Sequence, residues 1–193
     1  MKKFSTIPLV LFIMISTTMV SQQKVEREHR IRKCQFPNFD TALLIPESKE
    51  VRFYQEIDST KTIYTLKFKK DRLHYHFDLT EQGIPEITGF QVKEVDIPNE
   101  TYAKIDAYLK KTFGKVAVRR ILQQYPVENS ENIEKTVKET FQNLMLPHTT
   151  YEFMVTGKMP DQERSTYEIV FDAEGELQQF RMALPTNYDH VLY

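Results

Sequence analysis

Two histidines and a carboxylate stand at alternate positions of one short segment, as His74, His76 and Asp78. On a β-strand, alternate residues point to the same face, so these three side chains would form one row. Imidazole and carboxylate groups are zinc ligands. Neighbours in such a row lie about 7 Å apart, and no third His or Cys is visibly paired with them. We therefore favour a solvated or partner-facing row over a zinc site and assign no metal ligand.

Cys34 is the one cysteine of the chain, and His29 precedes it by five residues, a spacing that could serve a nucleophile and its base. Cys34 also aligns with Val95 in the internal repeat described below, so we expect a buried, small apolar position. The chain lacks the Gly-x-Ser-x-Gly, Gly-x-Gly-x-x-Gly, Walker and His-Glu-x-x-His motifs. We predict no catalytic residue, no cofactor and no enzymatic activity.

The composition is that of a globular protein. The 193 residues are 40% hydrophobic and 27% charged, and 13 Phe and 10 Tyr supply apolar area for a core. Collagen-like, low-complexity and polytopic membrane classes are excluded by these values. With one cysteine, no internal disulfide can form, so the fold must depend on its apolar core.

The N-terminus has the three parts of a bacterial secretory signal. Lys2 and Lys3 precede an apolar run from Leu9 to Ile15, which is too short to span a bilayer, and we place the cleavage after Ser21. Removing residues 1–21 leaves 24 basic and 27 acidic residues, a net charge of -3. We predict an exported protein, periplasmic or secreted, with no membrane span after cleavage and no affinity for nucleic acid.

A comparison of the chain with itself indicates a diverged internal repeat. The segment from Arg30 to Asn38 matches that from Gln91 to Asn99 at an offset of 61. Three further matches follow in the same order at growing offsets, which indicates insertions in the second copy. They pair Val51–Phe53 with Val116–Val118, Tyr64–Phe68 with Tyr151–Val155, and Phe77–Asp78 with Phe171–Asp172.

Each copy reads as one helix followed by strands. The second copy has an apolar stripe at helical spacing between Asn99 and Gly114, whereas its counterpart from Asn38 to about Ile45 is shorter. An extra helix is predicted near 130–146. Period-two alternation places aromatic and aliphatic side chains on one strand face, toward the helices. Among them are Val51, Phe53, Tyr64, Leu66, Phe68, Leu73, Tyr75 and Phe77, with Val116, Val118, Tyr151, Phe153, Val155, Tyr167, Ile169 and Phe171 in the second copy.

This layout resembles the bacterial PepSY-like, or β-lactamase-inhibitor-like, exported family. The resemblance covers residues 28 to 187, and it is carried by Ile31 to Asn38 with Val92 to Asn99 and by two Phe-Asp-turn-Gly hairpins. It implies an α+β fold of two helix-plus-antiparallel-sheet repeats, with helices on one sheet face and an extra helix in the second repeat. We accordingly divide the chain into a signal peptide (1–21), a first repeat (22–92) and a second repeat (93–193).

The resemblance also implies a non-enzymatic module that binds another envelope or secreted protein, in an inhibitory or regulatory role. An antiparallel sheet with one uncovered face offers such a surface, and Arg and Tyr are typical interface residues. The alternative is a small-ligand or metal-binding envelope protein that uses the His74/His76 strand face. The partner-binding residues predicted on the uncovered face are Arg52, Tyr54, Lys67, His74, His76 and Arg119.

Overall fold

The computed structural model describes residues 26–39, 47–58 and 61–183 of the chain. In that part there are nine strands and two α-helices, besides short 3-10 turns. The strands are β1 (Glu26–Ile31), β2 (Lys49–Ile57), β3 (Thr62–Lys70), β4 (Leu73–Leu79), β5 (Pro85–Val92), β6 (Val116–Pro126), β7 (Thr150–Lys158), β8 (Arg164–Phe171) and β9 (Leu177–Met182). The helices are α1 (Asn99–Phe113) and α2 (Ile133–Phe141).

All nine strands belong to one antiparallel sheet in which every strand pairs with the next along the chain. The predicted fold of two helix-plus-sheet repeats is wrong. Instead of closing a first unit, β5 pairs with the 11-residue strand β6, from Ile87 opposite Pro126 to Val92 opposite Ile121. Because this pairing joins the two halves edge to edge, the sheet is the main body of the fold, and two short helices accompany it in the part of the chain that the structure describes. The division of the chain at residues 92 and 93 stays a prediction.

One face of the sheet forms the apolar core with both helices. The alternation of apolar residues was predicted correctly for β3, β4, β7 and β8, whose inward side chains are buried. From α1, the Phe113 ring lies 5.1 Å from that of Tyr167 on β8. From α2, the Phe141 ring lies 5.2 Å from that of Tyr75 on β4. The helix α2, in the span predicted as an insertion, therefore covers the first half of the sheet.

Helix α1 occupies the predicted span and ends where Gly114 adopts a positive φ of 63°, a conformation that glycine adopts without strain. Its last residue, Phe113, packs flat over Gly157 of β7. A Cβ atom at position 157 would lie 2.7 Å from the Phe113 ring. The helix can approach the sheet this closely only because residue 157 has no side chain.

Several sequence-based expectations need correction or lie beyond the described residues. The mixed charges between Lys24 and Lys33 are typical of an exposed linker, but this segment contains the edge strand β1. Cys34 is exposed on a 3-10 turn, as is Val95, so the expected buried position is wrong. The predicted signal peptide and most of the helix predicted from Asn38 fall outside the described residues. Among the residues that are described, no helix is long and apolar enough to cross a membrane.

Candidate functional site: a polar groove on the uncovered sheet face

The sheet curls strongly toward the face that carries no helix. In a flat sheet, β2 and β9 would be about 34 Å apart, since seven interstrand spacings of about 4.8 Å separate them. Arg181 of β9 nevertheless lies 3.5 Å from Glu56 of β2 and 3.6 Å from Asp58. The two ends of the sheet therefore approach each other across this face, which must be concave.

The concave face forms a groove of about 380 Å³. Residues from all nine strands line this groove. Ion pairs connect strands along its walls: Lys67 of β3 contacts Glu28 of β1, beyond β2, and Arg120 of β6 contacts Glu152 of the adjacent β7 at 3.6 Å. Most of the residues that line the groove are thus polar or charged, although Ile63, Leu122 and Met154 also line it, in contrast to the aromatic face beneath the helices.

Five of the six predicted partner-binding residues line this groove. The structure brings these five residues together from three strands, β2, β3 and β4. Arg52 and His74 are exposed at its mouth, and the Lys67 ammonium lies 4.6 Å from the centre of the Tyr54 ring. Arg119 does not line the groove. It falls in an irregularity of the β6–β7 pairing, and its Nε donates to the Thr156 hydroxyl at 3.3 Å.

His76 lies at the floor of the groove and is only 5% exposed. Among the described residues, neither ring nitrogen has a hydrogen-bond partner. Burial, together with the neighbouring Arg120 and Lys67 cations, lowers the pKa of His76 to about 3. The imidazole is therefore neutral at physiological pH, with one nitrogen able to donate and the other able to accept.

Asp78 follows His76 in the same row and accepts a hydrogen bond from the Thr65 hydroxyl at 2.8 Å. Burial, with the nearby carboxylates of Glu152 and Glu28, raises the pKa of Asp78 to about 7, against the opposing effects of the Thr65 hydrogen bond and the Lys67 cation. Its carboxyl group is therefore divided between the protonated and ionised forms near neutral pH. Of the row predicted to be solvated or partner-facing, His76 and Asp78 lie inside the groove, whereas His74 is exposed at its mouth.

On β6 and β7, Glu152 accepts from the Gln124 amide at 2.9 Å and faces Arg120. Burial raises the pKa of Glu152, while Arg120 lowers it. The Arg120 Nε is buried and has no hydrogen-bond partner among the described residues. The floor therefore holds two side chains, His76 and Arg120, with unused hydrogen-bonding capacity.

At the end of the groove, Arg181 is shared by several carboxylates from both edges of the sheet. Its guanidinium lies 2.6 Å from Glu168 on β8, in addition to Glu56 and Asp58. Burial and the nearby Glu168 raise the pKa of Glu56, and Arg181 opposes this shift. This cluster holds the two edges of the curled sheet together and limits the length of the groove.

The zinc reading of the His74, His76 and Asp78 row gains no geometric support. His74 is exposed at the mouth, whereas His76 is buried at the floor. Within the described residues there is no group of three or more His, Cys, Asp or Glu side chains that could hold a metal ion.

Comparisons with known proteins return distant structural likenesses only. No family model matches the chain, and no curated protein matches it. It is similar to a candidate periplasmic protein from Bacteroides eggerthii at 13% identity and a TM-score of 0.49, covering 73% of this chain and 82% of the other. A DUF2874 family protein from Bacteroides ovatus gives 10% identity and a TM-score of 0.48, with coverage of 78% and 86%.

A BLIP-like protein from Bacteroides fragilis is similar at 13% identity and a TM-score of 0.45, covering 78% of this chain and 86% of the other. These likenesses are low in sequence identity, and the proposals below depend on the groove's own residues.

Sequence reasoning missed most of the groove. Arg120, Glu152 and Arg181 were not singled out, although Glu152 and Arg181 alternate with apolar residues on their strands. That alternation was the one signal that could have placed them on the uncovered face. Glu28 was assigned to a linker. The pairing of each cation with its carboxylate depends on which strands are neighbours, and no local pattern indicates that.

Proposed function

We propose that this protein is an exported, non-enzymatic module that binds another envelope or secreted protein through the groove. One observation supports the proposal most directly: the sheet face left free by the helices is curled into a groove whose mouth presents Arg52, Tyr54 and His74. Arg and Tyr are common energetic centres of protein interfaces, and a concave surface suits a convex partner segment.

The groove's chemistry favours binding over catalysis. A catalytic histidine is normally oriented by a hydrogen bond to a third group and lies within reach of a nucleophile. His76 has no orienting partner among the described residues. The Thr65 hydroxyl, which also lines the groove, donates to Asp78. We accordingly assign no catalytic role to the groove.

Affinity capture from an envelope extract of the source organism tests the proposal. The wild-type chain is compared with an Arg52→Glu/Tyr54→Ala variant at the groove mouth. The matched control, Lys111→Glu, changes an exposed lysine of α1 on the helix-bearing side. We expect the wild type and the control to retain the same protein and the groove variant to lose it.

Denaturation curves of all three chains establish that each is folded. If the wild type retains no protein, or if the groove variant retains the same protein as the control, the groove is not the binding surface.

A further inference from the structure

His76 is held in a defined position by its neighbours in the sheet. It lies opposite Gly89 of β5 in the strand pairing, and its ring extends over that glycine. A Cβ atom at position 89 would lie 2.6 Å from Cε1 and 3.1 Å from Nε2 of the ring. The same Cβ atom would lie even closer to the backbone carbonyl oxygen of Gln123, so a side chain at 89 would clash with β6 as well as with the imidazole.

A buried polar group without a partner costs folding free energy, and native proteins retain few such groups. The groove floor retains two. His76 offers one donor and one acceptor, and Arg120 offers the Nε donor, while none of the three atoms has a partner among the described residues. Both residues line the groove, but the three atoms themselves are closed to solvent, so a group entering the groove reaches them by displacing the side chains that cover the floor. The cost is explained if this group completes the hydrogen bonding.

The charges around the floor identify the class of that group. Lys67 already faces Glu28, and Arg120 already faces Glu152, so both cations are balanced within the protein. An added carboxylate would meet these two glutamates and the partly ionised Asp78. An added ammonium group would meet the two cations. An uncharged group avoids both repulsions, because it needs only dipoles that match the free donors and acceptor.

We propose that the groove floor is a subsite for an uncharged group that both donates and accepts hydrogen bonds, namely a carboxamide. The inference rests on the proposed function in one respect, that the carboxamide is an Asn or Gln side chain of the bound partner. The amide N–H donates to the free nitrogen of His76, and the amide carbonyl accepts from Arg120 Nε or the protonated ring nitrogen.

Titration with three small probes of the same size tests the subsite directly. The exported chain is labelled with ¹⁵N in histidine, and the ring nitrogens of His76 are assigned by their loss in His76→Gln. Propionamide, sodium propionate and propylammonium chloride are then added separately. We expect propionamide alone to give a saturable shift of the His76 ring nitrogens.

Arg120→Lys retains the positive charge facing Glu152 and removes the Nε donor. We expect it to weaken propionamide binding by about 3- to 10-fold, the usual effect of one lost hydrogen bond. His74→Gln, at the exposed mouth, should leave the affinity unchanged. No saturable shift with propionamide, or equal or tighter binding of either charged probe, overturns the proposal.

The two proposals fail separately. If propionamide binds but no protein is captured, the subsite stands and the protein-binding role fails. If a protein is captured through the groove but no probe shifts His76, the carboxamide subsite is wrong and the binding role stands.

Discussion

At the middle of strand β4, residues on both faces are buried, but by different means. On the helix side, Tyr75 and Phe77 are 4% and 0% exposed, and helix α2 contributes Phe141 against them. On the groove side, His76 is 5% exposed, and neither α1 nor α2 covers it. Within the described part of the chain, curvature of the sheet encloses this residue. The comparison shows that a polar face of an antiparallel sheet can be desolvated by the sheet itself.

The two kinds of burial have opposite energetic consequences. Packing aromatic rings under the helices removes apolar area from water and stabilises the fold. Enclosing His76, Asp78 and Glu152 removes ionisable groups from water, and desolvation is the largest cause of the pKa shift at each. The helix side therefore supplies the stability, and the groove side retains groups whose protonation depends on their enclosure.

The largest expected effect on the free energy of unfolding comes from truncating one residue on each face of β4. Phe77→Ala removes a fully buried ring and should lower the free energy of unfolding by about 3–5 kcal/mol, because a cavity remains in the core. His74→Ala on the same strand, at the exposed groove mouth, should change it by less than about 0.5 kcal/mol. Chemical denaturation measures both values. Similar losses for the two variants would contradict the assignment of the core to the helix side.

The second prediction uses the opposite pKa shifts of two residues in one row. Asp78 has a folded-state pKa of about 7 against an ordinary value of 3.8, so its stabilising contribution is complete below the lower value and is lost as pH rises to the higher. His76 has a folded-state pKa of about 3 against 6.5, so its contribution is complete above 6.5 and is lost as pH falls. Between about pH 4.5 and 6, the two contributions oppose each other.

Removing either group should therefore leave the pH dependence that the other gives to the free energy of unfolding without its opposing contribution. Relative to the wild type, Asp78→Asn should change the pH slope of the free energy of unfolding by about +1 kcal/mol per pH unit, and His76→Gln by about -1. Denaturation at several pH values gives the slopes. The wild-type comparison cancels Glu56 and Glu152, which every variant retains. Unchanged slopes would mean that these side chains are solvated and that the groove is open.

The third prediction concerns the contact that demonstrates the curl. Arg181 and Glu56 lie on β9 and β2, at opposite ends of the strand order, with side chains 3.5 Å apart. A double-mutant cycle with Arg181→Leu and Glu56→Leu should give a coupling energy of about 1 kcal/mol, because both side chains are partly enclosed. In a flatter sheet the two substitutions would be additive, and the coupling would vanish.

The sequence predicts the helix side of this comparison far better than the groove side. Period two is a local property, and it correctly placed Leu66, Phe68 and Phe77 in the core. It failed at Val51, which is 39% exposed, because the β2–β3 register shifts between Lys49 and Arg52. Such an irregularity reverses the face of every residue on one side of it.

The groove depends on relations between distant residues. His76 was correctly directed away from the core, but its burial follows from the curl, which depends on the register and twist of nine strands. Arg181 and Glu56 are separated by 125 residues, and no spacing rule links them. Likewise, the pattern of residues within β5 and within β6 does not determine that these two strands pair edge to edge.

The smallest expected effect is at the groove mouth, where Arg52 lies 3.9 Å from Glu50 and the two side chains are 51% and 54% exposed. Water screens a pair this exposed, so Arg52→Ala should lower the free energy of unfolding by less than about 0.5 kcal/mol. Denaturation of this variant beside the wild type measures the difference. A loss above about 1.5 kcal/mol would show that the mouth is enclosed like the floor. Because the expected cost is small, any loss of a captured partner on changing Arg52 can be assigned to the missing contact rather than to unfolding.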